Sequence, residues 1–333
     1  MVDLNLRLES SLNEEEYGYL SRLQHIELPE DFPKEYVIDP ELPNKETFKK
    51  VRGQVLELLQ SEEAIEWAFQ TLIHRFYRNG YIYLEISLTP YLHSKEGLSQ
   101  RRILNAAIKG LNDALKKCPG SEVNLILYAH REASLAYNQE TMRLALEFRN
   151  ERVVAIGLEG DDTKKRVASY ERFFRPAKMS DFPIVIELGE SYCDFASIKE
   201  AINLGAKRII FPYELPVDFM FASELAQKHI FFEYHASCDY SLGRGKELKE
   251  FPIKDIWSYG YQGYMASYAS FICNSDLVKE YRKLKEACDF KREDLQHSMS
   301  VSIQAVFEKD LLKRTRLIQL FARYFDGFFA KTL

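Results

Sequence analysis

The 333-residue chain has few cysteines and no clustered ones. Cys118, Cys193, Cys238, Cys273 and Cys288 are scattered, and none belongs to a C-x-x-C pair. That spacing excludes a zinc knuckle and a dithiol redox motif. Lone thiols of this kind are expected to be small buried hydrophobes in a reducing cytoplasm. No apolar run is long enough to span a bilayer, and Met1-Val2-Asp3-Leu4-Asn5 lacks the basic flank and apolar stretch of a leader. Charge of one sign is not concentrated either. The net charge is −5 with Lys and Arg interspersed among Asp and Glu, so neither a nucleic acid nor a membrane partner is expected. There is no Gly-Lys-Ser/Thr phosphate loop and no Gly-x-Ser-x-Gly elbow, and Gly243-Arg244-Gly245 is too short to cradle a phosphate.

What is present is a series of short apolar strands separated by helical patterns. They read Leu23 to Leu28, Tyr81 to Leu88, Val123 to Tyr128, Val153 to Leu158, Pro183 to Leu188, Arg208 to Tyr213, Ile230 to His235 and Tyr264 to Phe271. Strand–helix alternation is the pattern of a parallel sheet, and eight units in a chain of this length predict an α/β protein, a closed (β/α)8 barrel. Residues 1–20 read as a helical arm with the acidic run Glu14-Glu15-Glu16, and residues 21–333 as a single barrel. Past residue 274 the pattern stays helical to the end, so extra helices are expected at both termini. The aromatics after residue 255, Trp257, Tyr259, Tyr261, Tyr264 and Tyr268 among them, suggest a subunit interface as well as core.

Catalysis in such a barrel belongs to the C-terminal strand ends. Glu27, Glu85, Glu159, Asp161, Glu187, Glu190, Glu214 and Glu233 all fall at or near them, and His235 follows Glu233 on the same face. So many carboxylates at one mouth repel each other and need compensation. Three sources are open: a hard divalent ion, cations from another chain, or the protein's own Lys and Arg, with Arg131, Lys207 and Arg244 as candidates. His130-Arg131 at the end of the third strand is a further candidate for ligand contact.

Five segments in order resemble the adenosine deaminase family. Tyr83-Leu84-Glu85-Ile86-Ser87-Leu88-Thr89-Pro90 is similar to the family's second strand, and Ile156-Gly157-Leu158-Glu159-Gly160-Asp161-Asp162 to its fourth. Leu204-Gly205-Ala206-Lys207-Arg208-Ile209 resembles the lead-in to the sixth strand. Glu280-Tyr281 and Ser302-Ile303-Gln304-Ala305-Val306-Phe307 resemble the closing helices. The resemblance implies the same barrel, of the metal-dependent hydrolase type, and a purine aminohydrolase whose zinc lowers the pKa of a water.

The implied catalytic positions are altered. For the family's His-x-His on strand one the match is His25-Ile26-Glu27, followed by Pro29 where the family has an acidic residue. For His-Ala-Gly-Glu on strand five the chain has Glu187-Leu188-Gly189-Glu190, which keeps the acid–base position at Glu190. Phe211 replaces the strand-six His, and Tyr268-Ala269 stand where the strand-eight Asp pair belongs. Positions His25, Glu27 and Glu187 therefore read as vestigial, and no metal is expected. Gly160, Asp161, Glu85 and His235 are candidate ligand contacts, although each also reads as a turn former or a brace between strand ends. The resemblance then implies a barrel without zinc-dependent deamination, acting as a non-catalytic purine-binding or structural subunit, with a protein partner or homo-oligomer. The alternative is an active purine nucleoside or nucleotide deaminase that uses Glu190 and a rebuilt site of His25, Glu27, Glu187 and His235 holding one zinc, manganese or magnesium ion.

Overall fold

The computed structural model describes residues 1–30, 32, 45–161, 163, 165–188, 194–211, 215–242 and 248–332. Eight parallel strands run in sequential order: β1 (Val2–Arg7), β2 (Tyr83–Leu88), β3 (Glu122–His130), β4 (Val153–Glu159), β5 (Ile184–Glu187), β6 (Ala206–Ile210), β7 (Phe231–Tyr234) and β8 (Gly263–Met265). Beyond β8 the chain closes the sheet. Tyr268 bridges to Leu6, its N–H donating to the Asn5 carbonyl at 2.8 Å while the Arg7 N–H donates to the Tyr268 carbonyl at 3.0 Å. The (β/α)8 expectation is met, and seven of the eight strands lie where the apolar runs place them.

The first strand does not. Residues 1–20 are not a helical arm, because Val2–Arg7 forms β1 and pairs with β2. The run around Leu23–Leu28 finishes a helix. Between β1 and β2 lie α1 (Leu8–Ser11), α2 (Glu14–Gln24), α3 (Lys45–Glu57) and α4 (Glu62–Arg78). The extra helices expected at the N-terminus are thus an insertion after the first strand. α2 starts with a capping box: Asn13 accepts from the Glu16 N–H at 2.9 Å and the Glu16 carboxylate from the Asn13 N–H at 2.7 Å. It ends at His25, which takes the left-handed conformation that stops a helix.

The remaining crossovers are α5 (Gln100–Leu115), α6 (Leu135–Glu147), α7 (Glu171–Met179), α8 (Phe195–Asn203), α9 (Phe219–Gln227), α10 (Ala236–Ser241) and α11 (Ile253–Ser258). After β8 come α12 (Leu277–Cys288), α13 (Arg292–Ala305) and α14 (Leu311–Thr332). Serine or aspartate caps open several of the helices, at Ser61, Ser99, Ser134, Asp194, Asp218 and Asp276. Outward strand residues and the helices share one large core, to which Leu6, Ile86, Leu125, Ile156, Ile186 and Ile209 belong. Among the described residues no helix is long and apolar enough to cross a membrane. One cysteine expectation fails: Cys238 and Cys273 are joined in a disulfide, while Cys118 and Cys288 are free.

The register of β1 slips between Asp3 and Leu6, and Asp3 is fully buried there. Burial pushes its carboxyl up to about 7, against hydrogen bonds from Ser267 and the Asn5 N–H. The folded value exceeds the unfolded one, near 4. The unfolded chain therefore releases this proton first as pH rises, and stability falls between about pH 4 and about pH 7. Asp3→Asn removes that loss. Urea unfolding at pH 4.5 and pH 8 is expected to show the variant gaining ~2 kcal/mol relative to the parent across the interval; parallel curves would contradict the assignment.

Candidate functional site

Alternation on β1 sends Asn5 and Arg7 into the barrel and Leu6 into the outer core. The Arg7 guanidinium lies across the barrel. Its Nη1 donates to Glu159 at the end of β4 at 2.5 Å, and its Nη2 donates to Glu187 at the end of β5. Two tyrosine rings hold the guanidinium, with centroids 4.8 Å away for Tyr128 and 4.9 Å for Tyr268. Gly157 makes room for the Tyr128 ring, since a Cβ there would come within 2.4 Å of its Cε1. Burial works against the charge on Arg7, but Glu159, Tyr268 and Glu187 outweigh it and hold the guanidinium charged.

A second arginine arrives from above. α3 lies over the mouth, where Phe48 and Val51 join a buried cluster with Tyr128, Val185, Ile210, Phe211 and Tyr268. From the same helix Arg52 donates through Nε to Glu9 at 2.8 Å and through Nη2 to Glu159 at 3.0 Å. Burial opposes the charge on Glu159, yet Arg7 and Arg52 keep it well below the usual carboxylate range. Deeper in the barrel Arg208 donates to Glu85 at 2.5 Å and to the Ala305 carbonyl. Glu233 accepts from Asn5 at 2.7 Å and Tyr264 at 2.5 Å, and its carboxylate lies 2.7 Å from His235 Nε2. Burial disfavours both charges of that last pair. Their mutual attraction prevails, raising His235 and lowering Glu233. The buried carboxylates Glu9, Glu85, Glu159, Glu187 and Glu233 therefore each have a cation supplied by the chain itself.

That outcome matches the third source of compensation read from the sequence, but with different residues. Arg131 donates to the carbonyls of Gly160 and Glu187, both at 2.8 Å. Lys207 reaches the Lys228 carbonyl at the surface, and Arg244 lies outside the described residues. The arginines that neutralise the interior are Arg7, Arg52 and Arg208.

The sequence-derived site residues fare unevenly. His25 and Glu27 are exposed beyond the end of α2 and take no part in the barrel, so His25-Ile26-Glu27 is not the strand-one pair. The inward pair on β1 is Asn5 and Arg7. Two positions further on, where the resemblance places an acidic residue, β1 leads to Glu9 and not to Pro29. Glu187 is in the site, as Arg7's partner, with Tyr268 Oη 3.2 Å from its other oxygen. Glu85 lies deep, where it also accepts from the Phe307 N–H at 3.0 Å. His235 is buried against Glu233. Gly160, at φ +102°, sits at the rim beside His130, and Asp161 accepts from the Thr163 N–H at 2.9 Å. His130 stacks on Tyr91 at 5.0 Å, and burial lowers its pKa. Glu190 and Glu214 lie outside the described residues.

Phe211 and Tyr268 close β6 and β8 in the left-handed region, at φ 62° and 57°. Aromatic side chains rarely adopt it, and such strain collects at functional strand ends. Hydrogen bonds from the Phe211 N–H to the Glu233 carbonyl at 3.2 Å and from the Tyr268 N–H to Asn5 hold the two turns. The resemblance places the strand-six His and the strand-eight Asp at these two turns.

A catalytic zinc requires three or more nitrogen, sulfur or carboxylate donors converging with an open position. The inward residues at the corresponding strand ends are Asn5, Arg7, Glu187 and Tyr268, and a guanidinium is a cation with no lone pair to donate. Among the described residues no group of three or more His, Cys, Asp or Glu could hold a metal ion. The described residues do not fit a zinc centre.

The residues missed carried a legible signal. Val2-Asp3-Leu4-Asn5-Leu6-Arg7-Leu8 alternates strictly between apolar and polar, which is strand periodicity. Arg7→Met tests the interior assignment. It strands Glu187 without a cation, and urea unfolding at pH 7 is expected to show a loss of ~3 kcal/mol, partly recovered in Arg7→Met/Glu187→Gln. An unchanged midpoint would contradict it.

Known proteins share this architecture throughout. The sequence matches the adenosine deaminase family over residues 2–322. An adenosine deaminase from Enterococcus faecalis is 24% identical over 320 residues, covering 94% of each chain. Among solved structures, adenine deaminase from Arthrobacter aurescens superposes with a TM-score of 0.83 at 19% identity, over 96% of this chain and 98% of that one. Arabidopsis ADAL, solved with IMP, does so at 0.82 and 18%, over 100% and 97%. With the family match running from β1 into α14, this chain belongs to the adenosine deaminase family.

Proposed function

We propose that this barrel does not carry out zinc-dependent deamination and acts as a non-catalytic member of its family, binding a purine-like ligand at its rim. The observation that supports the reading is Arg7. Its guanidinium occupies the strand-one position at which the family needs an imidazole, and it ties up Glu159 and Glu187, the carboxylates nearest to it. A fixed positive charge there repels a divalent cation and leaves no water to be activated. Glu190 stands alone as the retained acid–base position, and a proton shuttle without an activated nucleophile does not hydrolyse an amine.

The purine part of the reading draws on the family and on a neighbour solved with IMP and with GMP. Gly160 and Asp161 are the residues offered for it, at the rim between β3 and β4, where Gly160 takes φ +102° close beside His130. A rebuilt metal site of His25, Glu27, Glu187 and His235 is not favoured, because the first two residues lie away from the barrel.

Purified protein, with and without added zinc, is expected to release no ammonia from adenosine, adenine or AMP above the spontaneous rate. Calorimetry with adenosine and IMP is expected to show binding of one of them, weakened at least tenfold by Gly160→Val. Turnover at ordinary enzymatic rates, ~1 s⁻¹ or faster, would overturn the non-catalytic reading. Absence of binding to either compound would overturn the purine reading.

A further inference from the structure

Cys238 and Cys273 are far apart in sequence and sit on the two segments that finish the barrel. Cys238 lies in α10, three residues after His235, and Cys273 lies five residues after Tyr268. Their Cα atoms are 5.4 Å apart, within the range a disulfide spans, and 35 residues separate them. Both are almost fully buried, in the cluster that holds Phe211, Leu242 and Tyr268 under α3. Tyr268 covers Arg7 and bonds to Glu187, and its ring lies 4.8 Å from that of His235. The bond thus ties together the segments that carry two side chains of the charged interior.

We propose that Cys238 and Cys273 form a redox-sensitive staple that sets the order of the rim between β7 and β8. In the forward step two thiols lose their protons and two electrons to a low-molecular-weight disulfide. One S–S bond forms in the protein, and the oxidant's S–S bond breaks to give two thiols. Glutathione disulfide is an oxidant of the required class. Because neither sulfur is exposed, exchange proceeds through local opening of α10 and is slower than at a surface pair. Reduction releases a cross-link over a long loop and frees the α10 and post-β8 segments to open independently.

The test equilibrates the full chain in oxidised or reduced glutathione, then quenches with acid, unfolds, alkylates and maps the peptides by mass. The oxidised sample is expected to contain a linked Cys238–Cys273 peptide, and the reduced sample is expected to have both residues alkylated. Hydrogen exchange at the Leu242 and Cys273 amides is expected to rise at least tenfold on reduction, with β3 amides unchanged. The melting temperature is expected to fall by about 5 °C. Cys118→Ser should behave as the parent. Cys238→Ser should exchange rapidly in both buffers, and if it does not fold the two parent samples decide alone. Equal alkylation of both residues in the two buffers, or identical exchange, would overturn the proposal.

Discussion

The structure depends on a positive charge that the chain carries into its own centre. Carboxylates at the ends of β4 and β5 point into a closed barrel, where a buried anion without a partner is very costly. Arg7 meets that requirement from the opposite wall, its two Nη groups spread between Glu159 and Glu187 and its faces covered by Tyr128 and Tyr268. Arg52 completes the arrangement from α3, and Arg208 and His235 repeat it at deeper levels. Among the described residues, the charge that compensates Glu159 and Glu187 comes from side chains of the protein itself.

Backbone and side chains tell separate parts of the history. The left-handed turns at Phe211 and Tyr268 keep the strained geometry of functional strand ends, and Gly160 and Glu9 still stand where the family's pattern places a glycine and an acid. Asn5, Arg7, Phe211 and Tyr268 stand where the resemblance places imidazoles and a carboxylate. The turns persist because they also close the sheet, Tyr268 being the link between β8 and β1.

Much of this was readable in advance. Seven strands and the helical C-terminus follow from the apolar runs, while Glu187, Phe211 and Tyr268 were placed at the strand ends by the resemblance. The first strand was misplaced because His25-Ile26-Glu27 offers an imidazole at the expected spacing, whereas the alternation of residues 2–8 offers none. On β1, the pair that the resemblance aligns with the family's imidazoles is Asn5 and Arg7. The pairing of each carboxylate could not be read from sequence, since Arg7 meets Glu159 and Glu187 across more than 150 residues. The Cys238–Cys273 link escaped for the same reason: a separation of 35 residues carries no motif.

Diffraction from crystals grown with zinc, recorded at the zinc absorption edge, tests the central claim most directly. The account predicts continuous guanidinium density from Arg7 to Glu159 and Glu187, with no anomalous peak between β1 and β5. A zinc peak there, with Glu187 as a ligand and Arg7 swung aside, would contradict it.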